Sequence, residues 1–317
     1  MSLVERIADA VLYEGYILYP YRPSAVKNQQ RWNFGVVCPE SYAVSQIGND
    51  SSTMRTECLL EANASTTLDV KVRFLHLLLR ETANFSDGAS VKEWHEAVAR
   101  EVLVPRVEIG TLQSQRVKFD FPASRTIEPV TSDANAVMVL RTQQAIAGEI
   151  EISATRLDQQ LKLSVVIRNL TLFADAINRS RDEALLYSFV STHTILEAHE
   201  GSFVSLLDPP EPYKAAALQC INTGTYPVLV GDEGARCCVL SSPIILYDYP
   251  QIAPESAGDL FDGTEIDEIL TLRIMSLTDD EKREMRSADD FARRLLERTE
   301  SMSPEQLLNL HGVMKKV

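Results

Sequence analysis

Apolar and polar residues alternate with a period of two through most of the chain, and this pattern predicts strands. In the stretch LDVKVRF, Leu68, Val70, Val72 and Phe74 alternate with Asp69, Lys71 and Arg73. Successive side chains of a strand point to opposite faces, so one face here is dry and the other wet. The run turns wholly apolar around His76, which reads as a packed core histidine. Met54 to Glu61 forms a preceding strand, with Asn63-Ala-Ser65 as the turn between the two. Further strands are expected over Leu103 to Ile109, Arg116 to Phe121, Ala136 to Ala147, Glu149 to Arg156 and Leu161 to Asn169. Later ones follow over Ala184 to Leu196, Gly201 to Leu207, Pro227 to Gly231 and Cys237 to Leu246. The breaks between them are Gly148, Asp158-Gln-Gln160 and Asp208-Pro-Pro-Glu-Pro212. Many short strands with polar turns predict a mainly antiparallel, sandwich-like sheet.

Helical signals are fewer and gather at the end. Residues 3–12 suit a short amphipathic helix. Asp87 to Arg100 is a candidate because Trp94, Val98 and Val102 repeat at four-residue spacing. Pro212 opens a short alanine-rich helix to Ile221. In the last third, Asp262 or Thr264 caps a helix over Glu265 to Met275. Thr278-Asp-Asp-Glu281 is a capping box that opens a second helix to about Arg298, and Ser303-Pro-Glu-Gln306 opens a third. The expected fold class is therefore α+β, mainly antiparallel β, with a C-terminal helical segment. The domain line is drawn after residue 260, with residues 261–317 packed as helices on the β domain.

Composition narrows the partners. The 317 residues carry a net charge of −14, which argues against a nucleic-acid backbone or an anionic membrane as the main partner. No run of about 18 apolar residues exists, so no membrane span is expected. The N-terminal stretch is broken by Glu5, Arg6, Asp9 and Glu14, unlike a secretory signal. Cys38, Cys58, Cys220, Cys237 and Cys238 are odd in number and lack CxxC spacing, so neither a disulfide framework nor a zinc site is expected. This points to a reducing, cytoplasmic setting. Cys237 and Cys238 are adjacent, so in a strand one faces the core and the other faces out.

Three constellations stand out. The first is an acidic junction. Asp248, Glu255, Asp259, Asp262, Glu265, Asp267 and Glu268 follow one another with no Lys or Arg among them, and Tyr249 lies at the start. Carboxylates bind hard cations, but the spacing does not fit the calcium loop D-x-[DN]-x-[DN]-G-x5-E. Helix capping plus a docking surface suits it better. The second is the aromatic N-terminal block with Tyr16, Tyr19, Tyr21, Arg22 and Trp32, a recognition surface for a protein. The third is His193, Glu197 and His199. Even offsets place all three on one face of a strand, where they are candidate ligands for zinc or iron. No HExxH, no G-x-S-x-G elbow, no phosphate loop and no dinucleotide fingerprint is present, and no cofactor is expected.

Two blocks, Val11 to Gly35 and Leu240 to Arg286, together resemble an uncharacterised bacterial protein family. Its genes often sit among nickel–iron hydrogenase structural and accessory genes. The blocks read VLYEGYILYPYRPSAVKNQQRWNFG and LSSPIILYDYPQIAPESAGDLFDGTEIDEILTLRIMSLTDDEKREMR. The resemblance implies a non-enzymatic accessory or assembly protein in hydrogenase maturation. Its partner would be a hydrogenase subunit or maturation factor, and no catalytic residue is carried over. Two alternatives stand beside this expectation. One is a metal-dependent enzyme or metal carrier using the His/Glu cluster or the acidic loop. The other is a structural subunit of a larger assembly. The two blocks are expected to meet in space, because strand-forming segments at both ends need edges to pair with.

Overall fold

A computed structural model of the chain describes residues 3–13, 34–45, 50–84, 91–111, 114–132, 135–157, 160–251, 278–286 and 290–301. Two compact units are present. One spans Asn33–Tyr249, and the other joins Met1–Trp32 to Pro250–Val317. The first residues of the chain group with its last ones rather than with the sheet.

In the second of these units, helix α1 covers Leu3–Tyr13, where Ile7, Ala8, Val11 and Leu12 are buried on one side. Helices α5 (Asp279–Arg286) and α6 (Asp290–Ser301) follow in the C-terminal part. Glu300 of α6 receives Arg286 at 2.5 Å, and Lys282 lies 3.5 Å from it.

Among the described residues, strands take 54% and helices 20%, so antiparallel β-sheet is the main architecture. In Asn33–Tyr249 the elements run α2 (Glu40–Ser45), β1 (Thr53–Asn84), β2 (Val91–Glu108), β3 (Ser114–Phe121), β4 (Ser124–Ser132), β5 (Asn135–Gln143), β6 (Ile146–Leu157), β7 (Gln160–Asn169), α3 (Arg181–Leu185), β8 (Val190–Val204), α4 (Lys214–Ala217), β9 (Tyr226–Leu229) and β10 (Cys238–Ser242). They build one ten-stranded sheet. Its main path is β3-β6-β7-β1-β8-β10-β9. Strand β2 pairs with β1, and the β4–β5 hairpin joins through β5.

Strand β1 is the spine. The two strands expected on either side of Asn63-Ala-Ser65 are one strand of 32 residues. Its partners change along its length: Thr53–Leu60 pairs with β7, Leu59–Leu75 with β8, Thr67–Ala83 with β2 and Leu78–Asn84 with β5. The expected turn survives as a bulge. Ala62 pairs with Gly201 and Thr67 with His199, so four residues on β1 oppose one on β8. Such a bulge bends the strand and increases its twist.

The dry face of β1 is the core. Leu68, Val70, Val72 and Phe74 are fully buried, as their alternation predicts. Strands β3 and β1 are separated by β6 and β7, about 14 Å apart in a flat sheet. Yet Phe119 of β3 lies 6.0 Å from Phe74 of β1, and Phe121 lies 5.9 Å from it. The sheet therefore curls over its own inner face. Phe189 completes the aromatic centre, 4.7 Å from Phe74. Farther along the same face the core becomes ionic. Glu96 receives Arg80 at 2.9 Å and Arg141 at 2.7 Å.

One expectation is overturned, and one strand is found where none is expected. The stretch from Asp87 to Arg100 is not a helix where it is described; Val91 onward is β2. Four-residue spacing is also an even spacing, so it serves a strand as well as a helix. Residues Ser124–Ser132, with little alternation, form strand β4, whose pairing to β5 decides its shape.

Candidate functional site

The described start of the acidic junction is the segment Ser242–Tyr249, which leaves β10 and is pinned at both ends. At its beginning, Ser242 Oγ donates to the carbonyl of Ile244 at 2.6 Å. Pro243 then packs on Gly35, where a Cβ would come within 2.7 Å of the proline ring. Gly35 has φ +54, a conformation that glycine adopts without strain. Gly35 and Pro243 belong to the two separate sequence blocks, which thus touch here.

At the other end, Asp248 is a latch. Its carboxylate accepts from Ser205 Oγ at 2.5 Å and from the Leu229 N–H at 2.7 Å. Tyr249 follows with φ 56; its N–H donates to the Leu229 carbonyl at 2.8 Å and its ring packs against the core. Asp248 and Tyr249, expected as docking residues, therefore spend their groups on holding the segment. Between the pins, Ile245 is 71% exposed and Tyr247 is 85% exposed. These two are exposed at a spacing of two, between the anchored ends. Sequence reasoning missed Ile245, which reads as one more apolar strand residue in PIILY.

The histidine row lies on β8. His193, Glu197 and His199 pair with Arg73, Asp69 and Thr67 of β1, so they share a face as expected. They are not brought together. A strand rises about 3.3 Å per residue, so His193 and His199 are separated by about 20 Å, several times the reach of one metal ion. Their settings also differ. His193 is fully buried, with Nδ1 at 3.0 Å from the Ser191 carbonyl. Burial pushes its pKa down to about 4, with Arg73 adding to the effect. Glu197 is exposed, and His199 Nε2 sits 3.1 Å from Asp69 Oδ2. Among the described residues, no three His, Cys, Asp or Glu side chains form a group able to hold a metal.

The cysteines follow the expectation from adjacency. Cys237 is exposed and Cys238 buried, its thiol pushed up to about 12 by burial. All five are free thiols. Among the described residues no helix is long and apolar enough to cross a membrane. Tyr16, Tyr19, Tyr21, Arg22, Trp32, Glu255, Asp259, Asp262, Glu265 and Asp267 lie outside the described residues. A scan against protein-family models and a search of curated proteins find no match to the chain.

Proposed function

We propose that this protein is a non-enzymatic accessory factor that acts by holding a protein partner, and that the partner belongs to nickel–iron hydrogenase assembly. One observation carries the docking part. A segment pinned by Pro243 and Asp248 displays Ile245 and Tyr247, with 71% and 85% of their surface open to solvent. Apolar side chains scattered singly over a surface are ordinary. Two close together on a segment anchored at both ends are different, because a partner that covers them orders fewer groups on binding. The hydrogenase part rests on the resemblance of the two end blocks, one of which contains this segment. The same reading keeps residues 261–317 as a helical segment and the acids from Glu255 to Asp267 as part of a docking surface, as the sequence suggests. It also takes the setting as cytoplasmic, in keeping with five free thiols.

Affinity purification of the full chain from its native host tests the proposal. A hydrogenase subunit or maturation factor should be retained by the wild type and lost from Tyr247→Glu. Recovery of the wild-type chain alone overturns the docking reading. Retention of a partner unrelated to hydrogenase overturns only the assignment of the pathway.

A further inference from the structure

The β1 bulge borders an open cleft of about 890 Å³, within the size range of small-molecule sites. Its walls come from β1 (Glu61 to Asn63), the first residue of β7 (Gln160), β8 (Glu200 to Ser202) and the turn at Pro212-Tyr213. The backbone is shaped around it. Glu200 has φ 56, which a non-glycine residue rarely holds, and its carbonyl accepts Thr66 Oγ1 at 2.6 Å and Asn63 Nδ2 at 3.2 Å. A Cβ on Gly201 would fall 2.8 Å from the Thr66 methyl and 3.2 Å from the Glu61 carbonyl oxygen, so only glycine lets the strands close beside the bulge.

The polar groups of the cleft divide into used and unused. Glu61 is used: it accepts from the Tyr213 hydroxyl and, at 2.6 Å, from Arg236. Asn63 is used by Glu200 and Ser65. Glu200 gives one carboxylate oxygen to Ser65 and keeps the other. Gln160 is the telling residue. The residue is only 7% exposed and lines the cleft, and its amide, open to the cleft, makes no side-chain hydrogen bond among the described residues. Such a group facing a cavity marks where a ligand or water supplies the missing bonds.

We infer that this cleft is a binding site for a small polyhydroxylated molecule of the sugar class, a role beyond the docking of a protein. The amide of Gln160 and the hydroxyl of Ser202 each donate and accept, as sugar hydroxyls do. The carboxylate of Glu200 accepts from one more. The rings of Tyr213 and Pro212 offer flat apolar walls for the C–H face of a pyranose. An anionic ligand is disfavoured by the two carboxylates. A polyamine would find one uncompensated charge, because Glu61 is already neutralised by Arg236.

Saturation-transfer NMR on the full-length chain tests this with glucose, galactose, mannose and N-acetylglucosamine, each alone, and with spermidine as the cationic probe. At least one sugar should receive saturation, and spermidine should not displace it. Glu200→Gln and Ser202→Ala, which keep size nearly unchanged, should each weaken that binding roughly tenfold. Gln160→Leu should weaken it as much, and the unfolding midpoint of each variant checks that it is folded. Four silent sugars overturn the inference, as does binding that both Glu200→Gln and Ser202→Ala leave unchanged. Binding of spermidine alone overturns the sugar assignment. Loss of partner retention by Tyr247→Glu bears on the docking segment and leaves this result untouched.

Discussion

The histidine row of β8 and the segment Ser242–Tyr249 both alternate, yet they put alternation to opposite uses. On β8, same-facing residues are spread about 20 Å from His193 to His199, passing from a sealed interior at His193 to solvent at Glu197. Sharing a face there gives no shared site. In Ser242–Tyr249 the backbone turns, so Asp248 and Tyr249 grip the body while Ile245 and Tyr247 stand out. A site on a strand needs residues two apart or on neighbouring strands. A display surface needs its neighbours to be anchors.

The comparison fails if inward members of the two stretches do not carry stability. The largest expected effect is with pH. Both His193 and His76 are fully buried, and burial lowers each to about 4, with Arg73 and Arg100 respectively adding to it. Each folded value lies below the unfolded one of about 6.5. From about pH 6.5 down to 4 the unfolded chain therefore binds a proton that the folded chain refuses, and stability falls as pH falls. Each histidine should contribute about 3 kcal/mol to that loss. Urea titrations at several pH values check it, and His193→Gln should remove about half of the two-histidine effect. A flat profile between pH 6.5 and 4 contradicts the burial of both.

Next comes the latch. Asp248→Ala leaves the Leu229 N–H and Ser205 Oγ without their acceptor, and should cost about 2 kcal/mol in the same titration at neutral pH. Asp248→Asn, which still accepts, should cost less. A loss as large from Asn as from Ala would mean that charge rather than hydrogen bonding holds the segment.

Smaller still is His199→Gln. Its contact with Asp69 is half-open to solvent, and the change should stay below about 1 kcal/mol. The smallest effect on folding belongs to the outward pair. Ile245→Ala with Tyr247→Ala should stay within about 0.5 kcal/mol of the wild type, since neither side chain is buried. A loss of several kcal/mol would show that these side chains are covered by the chain itself.

Much of the sheet was legible in advance. The alternation of Leu68 to Phe74 named the dry face of β1, β3 and β7 fell where expected, and one of the adjacent cysteines is buried as adjacency predicts. Local pattern could not reveal that Asn63 to Thr66 is a bulge rather than a turn. That choice is made by β8, whose pairing resumes on the far side. It also could not separate a strand from a helix at Val98 and Val102, where both periods agree. The site was less legible. Asp248 looked like part of a charged surface because the groups that donate to its carboxylate, Ser205 Oγ and the Leu229 N–H, lie 43 and 19 residues away. Gln160 looked like a turn residue, and only the fold shows it buried against a cleft.

The docking account is tested most directly by placing a photo-crosslinking residue at one position at a time in the full chain, in its native host. With Tyr247→p-benzoylphenylalanine, irradiation should give one dominant adduct containing a hydrogenase subunit or maturation factor. With Leu172→p-benzoylphenylalanine, an even more exposed position elsewhere, it should not. No adduct at 247, or the same adducts at both positions, would contradict the claim that this pinned segment is where a partner is held.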